Sequence, residues 1–108
     1  GMMTADDCQE GYVPLLADNA SNYVAAGVSY AIPLFRPIRL ASKVACPALV
    51  LICDHDTVAP AKAAAKAAET MPNAEVKRYP VGHFDVYRGE ALDRSIKDQL
   101  DFLARFFR

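Results

Sequence analysis

The sequence contains no tryptophan, only five glycines, and no surplus of either charge: 12 Lys plus Arg stand against 13 Asp plus Glu, a formal net charge of -1. That balance excludes the strong positive field that draws proteins to phosphate backbones or anionic membranes, so no nucleic acid partner is expected. No apolar stretch approaches the roughly 20 residues of a spanning helix, and the N-terminal residues lack the basic and apolar regions of a secretory signal. A soluble, cytoplasmic chain with no membrane partner is the expectation. Cysteine is scarce and odd in number. Cys8, Cys46 and Cys53 share no metal-ligand spacing, which suits reduced thiols better than a disulfide framework. Gly1 ahead of Met2 reads as the remnant of a cleaved tag and is set aside. At 108 residues the chain has the length of one domain, able to bury roughly two thirds of its unfolded surface.

Against these absences stands one concentrated signal. The run Leu49-Val50-Leu51-Ile52-Cys53 ends in an acidic turn, Asp54-His55-Asp56-Thr57-Val58-Ala59-Pro60, and Val81-Gly82-His83-Phe84 follows about a helix and a strand later. Continuous apolar, β-branched residues between Pro47 and the acidic turn predict a strand over 48–53 buried on both faces. Pro60 occupies the favoured first position of an alanine-rich helix over Ala61–Met71, which Pro72 and Asn73 end. Glu75–Tyr79 alternates as a shorter second strand, and Leu92, Ile96, Leu100, Leu103 and Phe107 mark the stripe of a C-terminal helix.

The first 47 residues are less legible. Residues 2–17 sustain no period and are expected to be mostly irregular. Asp18 or Asn19 is placed to cap a helix reaching about Ile32, where Pro33 stops it. Pro33, Pro37 and Pro47 then bracket a loop-like connection made basic by Arg36, Arg39 and Lys43.

Two strands joined by a helix should run parallel with a right-handed crossover, giving an α/β fold. Asp56 then follows the C-terminal end of one strand and His83 that of its neighbour, about 4.8 Å away. Both reach one site, on the edge where open α/β sheets place their ligands. The plainer alternative is that Asp56 caps the following helix and His83 is a turn residue.

Residues 46–108 resemble the C-terminal section of the α/β-hydrolase family. There a Gly-x-x-Asp-x-x-x-Pro turn bears the acid of a catalytic triad, and a Gly-His pair after the last strand bears the base. Cys53 to Pro60 match the first pattern except that Cys53 replaces the glycine, and Gly82-His83-Phe84 match the second. Residues 18–40 are less specifically similar to the helical cap of that family. The resemblance implies a C-terminal fragment of an α/β-hydrolase fold, a short parallel βαβ unit flanked by helices. Its division is 2–45, a cap-like helical segment and connection, and 46–108, the βαβα section. It also implies that His83 is the base and Asp56 the orienting acid, acting on an ester or amide bond of a small-molecule substrate without cofactor or metal. Asp54 reads as a turn residue, because the spacing to Pro60 selects Asp56; His55 reads as a solvent-facing turn residue.

The third member of a triad is what the sequence lacks. A nucleophile elbow has the form Gly-x-Ser-x-Gly between a strand and a helix. Gly27-Val28-Ser29-Tyr30-Ala31 is the near match, but Pro33 arrives four residues after Ser29 and Asn22–Ile32 reads as helix. Ser21, Ser42 and Ser95 have no elbow context. A chain without elbow or oxyanion donors, which are worth about 10² to 10³ in rate, is expected to show negligible hydrolase activity alone. The strand at 48–53 would also keep a bare apolar edge, for which a homo-oligomer is the expected cover.

Three other classes compete. An acidic cluster after a strand suits a phosphorylation receiver, but too few residues follow for its remaining βα units. A metal site from Cys53, Asp54, His55, Asp56 and His83 would need neighbours in one turn to converge on one ion. The third is a non-catalytic interaction module in which Asp56 and His83 are inherited and idle. Phe84 and Tyr87 do not specify a substrate, since such residues more often pack.

Overall fold

The structure, a computed structural model, describes residues 5–21 and 23–107; the expectations for Gly1 and Asn22 lie outside the described residues. It is a small α/β protein with a two-stranded parallel sheet and helices around it. Strand β1 (Ala48–Cys53) pairs with β2 (Ala74–Tyr79) in one unbroken register, from Ala48 opposite Ala74 to Cys53 opposite Tyr79. Parallel strands need a crossover, which is helix α3 (Ala61–Thr70). Its alanines let it lie close to the sheet with Ala68 buried, while Lys62 and Lys66 remain exposed. Helix α4 (Gly89–Ala104) follows β2 and begins at Gly89, whose φ of 50° is the left-handed conformation that glycine adopts without steric cost.

Side-chain alternation explains how β2 meets α4. Glu75, Lys77 and Tyr79 share one face of the strand. Glu75 pairs with Arg105, Lys77 lies 3.9 Å from Asp98, and the Tyr79 hydroxyl donates to Asp98 Oδ2 at 2.6 Å. Burial and this bond to a carboxylate together push the Tyr79 phenol up to about 12.

The segment before β1 differs from expectation in two places. Residues 2–17 were expected to be mostly irregular, yet Cys8–Tyr12 form a short helix, α1, continued by a 3₁₀ turn at Val13–Leu15. The helix expected from Asp18 or Asn19 to Ile32 contracts to α2, Val28–Ala31, with a 3₁₀ turn at Ile32–Leu34. Ala20 closes a tight turn onto Ala17 instead of starting a helix. Residues 23–40 are all exposed, so no packed face supplies the stability that a short helix needs from tertiary contact. The basic connection carries a 3₁₀ segment, Pro37–Lys43.

The core is small. Among the described residues, Cys8, Ala41, Ile52, Ala68, Tyr79 and Phe84 are its buried apolar members, with Ser95 beside them. The accessible surface is 8385 Å², against roughly 5,900 Å² for a compact monomer of this mass. The radius of gyration is 15.8 Å, where about 13 Å is usual for this length. Large apolar side chains contribute to this surface: Ile96, Leu100, Leu103 and Phe107 of the predicted C-terminal stripe are exposed. Among the described residues, no helix is long and apolar enough to cross a membrane.

Candidate functional site

The parallel register carries the chain beyond both strands into one site. Asp54 N–H donates to the Tyr79 carbonyl at 2.8 Å and His55 N–H to the Val81 carbonyl at 3.1 Å, so the ladder continues past Cys53. These two bonds fix the acidic turn against the loop that bears His83. Asp54 forms a salt bridge with Arg78, its Oδ1 accepting from Nε at 2.8 Å, and His55 is exposed. Both therefore sit in the turn.

Asp56 and His83 meet. Asp56 Oδ2 and His83 Nδ1 are 2.8 Å apart. The other oxygen, Oδ1, accepts from Val58 N–H at 2.8 Å and Ala59 N–H at 2.6 Å, an Asx-type turn that orients the carboxylate before α3 begins. The capping alternative is thus partly realised: Asp56 organises the turn and engages the histidine with separate oxygens. Burial works against its charge, but the hydrogen bonds from Ala59, His83 and Val58 outweigh it and hold the carboxyl below the usual aspartate value. A carboxylate on Nδ1 favours the tautomer with the proton on that nitrogen and leaves Nε2 as the acceptor.

A largely apolar cleft of about 410 Å³ opens beside the pair, its walls including Cys53, Val86, Leu92 and Ser95. Two of these carry nucleophilic atoms, and neither is activated. Ser95 is 3% exposed, and its hydroxyl donates to the Leu92 carbonyl at 2.9 Å. Burial, then the carboxylates of Asp56, Asp54 and Asp85, push the Cys53 thiol up, the reverse of what a reactive thiolate needs. Ser29 lies within α2, and among the described residues no strand precedes it, so the strand-to-helix setting of an elbow is missing there. Also among the described residues, no group of three or more His, Cys, Asp and Glu is placed to hold a metal ion.

One part of the site was not read from the sequence. The His83 ring meets Phe84 edge-on at 4.8 Å, and Phe84 packs against α1, where Tyr12 lies 6.4 Å away and Gly11 leaves no room for a side chain. The signal was Gly11 itself, a glycine in an otherwise unremarked segment, but nothing in the sequence states what approaches it.

Over 106 residues the chain is 42% identical to the quorum-quenching protein AidA of Acinetobacter baumannii (strain MDR-ZJ06). The match takes in 96% of this chain and 35% of that protein, so the chain spans about a third of its relative's length. No protein-family model matches the chain, and no solved structure matches it.

Proposed function

We propose that this chain is the acid-and-base section of a serine-type α/β hydrolase, cleaving an ester or amide bond of a small molecule when the nucleophile is supplied by sequence outside it. The contact of His83 Nδ1 with Asp56 Oδ2 at 2.8 Å carries the reading. The second oxygen of Asp56 is occupied by the turn, so the carboxylate is oriented before any substrate arrives. In this arrangement His83 Nε2 takes the proton of a serine hydroxyl as it attacks the carbonyl, then returns it to the leaving group. Asp56 meanwhile stabilises the imidazolium and stays ionised. The relative's name supports the chemistry: hydrolysing a small signal is one way to silence it.

The isolated chain lacks the nucleophile. Purified, it should leave a nitrophenyl ester uncleaved above buffer background. Turnover that His83→Ala abolishes would overturn this reading of the chain as an incomplete site. The matching positive test is genetic: the frame upstream should encode Gly-x-Ser-x-Gly. In the longer product, His83→Ala should lower kcat by about 10⁴ or more, with little change in KM.

The exposed apolar surface favours a second reading, association with another copy of this chain. The excess of roughly 2,500 Å² over a compact monomer exceeds the roughly 800 Å² per partner of a standard interface. A second copy would cover the Ile96, Leu100 and Leu103 stripe and the free edge of β1. A dimeric mass in light scattering, reduced to monomer by Leu100→Glu, is the expected result; a monomer at all concentrations removes this reading.

A further inference from the structure

Three contacts converge on the loops that hold Asp56 and His83, and all come from the first described residues. Asp7, just before α1, accepts through Oδ1 from the Thr57 hydroxyl at 2.8 Å, and Thr57 adjoins Asp56. Gly11, within α1, faces the Phe84 ring so closely that a methyl group there would overlap it, and Phe84 adjoins His83. Arg88, at the end of the 3₁₀ turn that follows Phe84, donates through Nη2 to the carbonyls of Gly11 at 2.7 Å and Glu10 at 3.2 Å.

Each contact has a physical reason. Carbonyls near the end of a helix lack intrahelical partners and attract a cation, and the Arg88 guanidinium supplies both. Phe84 is 6% exposed and stands between α1 and the imidazole, so movement of α1 passes directly to the His83 ring. A five-residue helix does not persist alone in water. It exists here because Cys8 and Gly11 are buried, Gly11 against the Phe84 ring of the loop it supports.

We infer that α1 is a brace for the acid–base pair, and that Gly11, Phe84 and Arg88 are positioning residues that keep His83 Nδ1 on Asp56. The inference rests on the acid–base reading proposed above. It adds that residues 7–12 belong functionally with the histidine loop, far from them in sequence. None of the three touches the reacting atoms; they act through the orientation of the imidazole ring.

Nitrogen-15 NMR of the two histidines of the whole chain, in alkaline buffer where imidazole is neutral, reads which ring nitrogen carries the proton; His55→Asn assigns the signals. The parent chain should show His83 predominantly protonated on Nδ1. Asp56→Asn keeps an oxygen for the turn but presents an amide N–H to the ring, and should invert the tautomer. Arg88→Met and Gly11→Val should each lower the ratio of the Nδ1–H to the Nε2–H form about tenfold, the loss of one hydrogen bond to a charged group. The β1–β2 amide signals should stay in place. Arg88→Lys, which can still reach one carbonyl, should restore most of the ratio. An unchanged tautomer in Asp56→Asn would defeat the acid–base reading itself. Inversion in Asp56→Asn with parent ratios in Gly11→Val and Arg88→Met would defeat the brace alone. Should Gly11→Val fail to fold, Arg88→Met, which removes the two bonds to α1 without placing any atom against Phe84, decides the matter.

Discussion

Residues 48–107 and residues 13–40 both carry many large apolar side chains, but they use them differently. In the first region Ile52 and Tyr79 are each 1% exposed, while in the second Tyr23, Tyr30 and Leu34 are 93%, 84% and 84% exposed. Apolar composition alone does not make a core. The first region has two strands that present alternate side chains to helices at fixed spacing, and the second has a four-residue helix, 3₁₀ segments and turns, exposed throughout from 23 to 40. The contrast also separates Asp56 and His83, held 2.8 Å apart by the ordered unit, from residues 23–40, all of which are exposed.

The sharpest way to break this contrast is to excavate the packed region. Ile52→Ala should cost about 2 to 5 kcal/mol, because the cavity sits where helix and sheet meet. A fall in the urea midpoint at unchanged slope measures it. Tyr79→Phe should cost about 1.5 kcal/mol by removing the bond to Asp98. The same residue sets an alkaline limit. Its folded pKa, about 12, is raised above the unfolded value. Its contribution is therefore complete below about pH 10 and is lost as pH rises through the folded value. Tyr79→Phe should lose less stability over that window than the parent.

Asp56 sets the acid limit by the opposite sign. Its folded pKa is depressed, so its contribution is present above about pH 4, the ordinary aspartate range, and is lost as pH falls through the lower folded value. The stability gap between the parent chain and Asp56→Asn should therefore narrow from pH 7 to pH 3 in urea titrations. The smallest effect belongs to the exposed segment. Leu34→Ser should change stability by no more than about 0.5 kcal/mol. A loss comparable to that of Ile52→Ala would mean that residues 13–40 are packed in solution and would end the contrast.

Much of the ordered unit is legible in sequence because its signals are local. Pro47 and the acidic turn bound β1, Pro60 and a run of alanines start α3, and Leu92, Ile96 and Leu100 keep a helical period. Only the resemblance to the hydrolase motifs singles out Asp56, by its distance from Pro60, and His83, by its following Gly82. What stayed hidden depends on distant partners. Five residues are too few for α1 to show a period, and its support comes from Phe84 and Arg88, far along the chain. The expectation of a helix to Ile32 failed for the complementary reason: capping residues and apolar side chains were present, but no surface received them.

The bond between Arg88 and the Gly11 carbonyl spans 77 residues, while every β1–β2 pair is separated by 26. Closing a longer loop costs more entropy, and contacts distant in sequence form late. The sheet should therefore assemble first, carrying Asp56 and His83 into proximity, with α1 docking last. In reverse, α1 should be the first piece to leave. Native-state hydrogen exchange should then find the α1 amides opening with a smaller free energy than those of β1, making the histidine's support a separate, weaker cooperative unit.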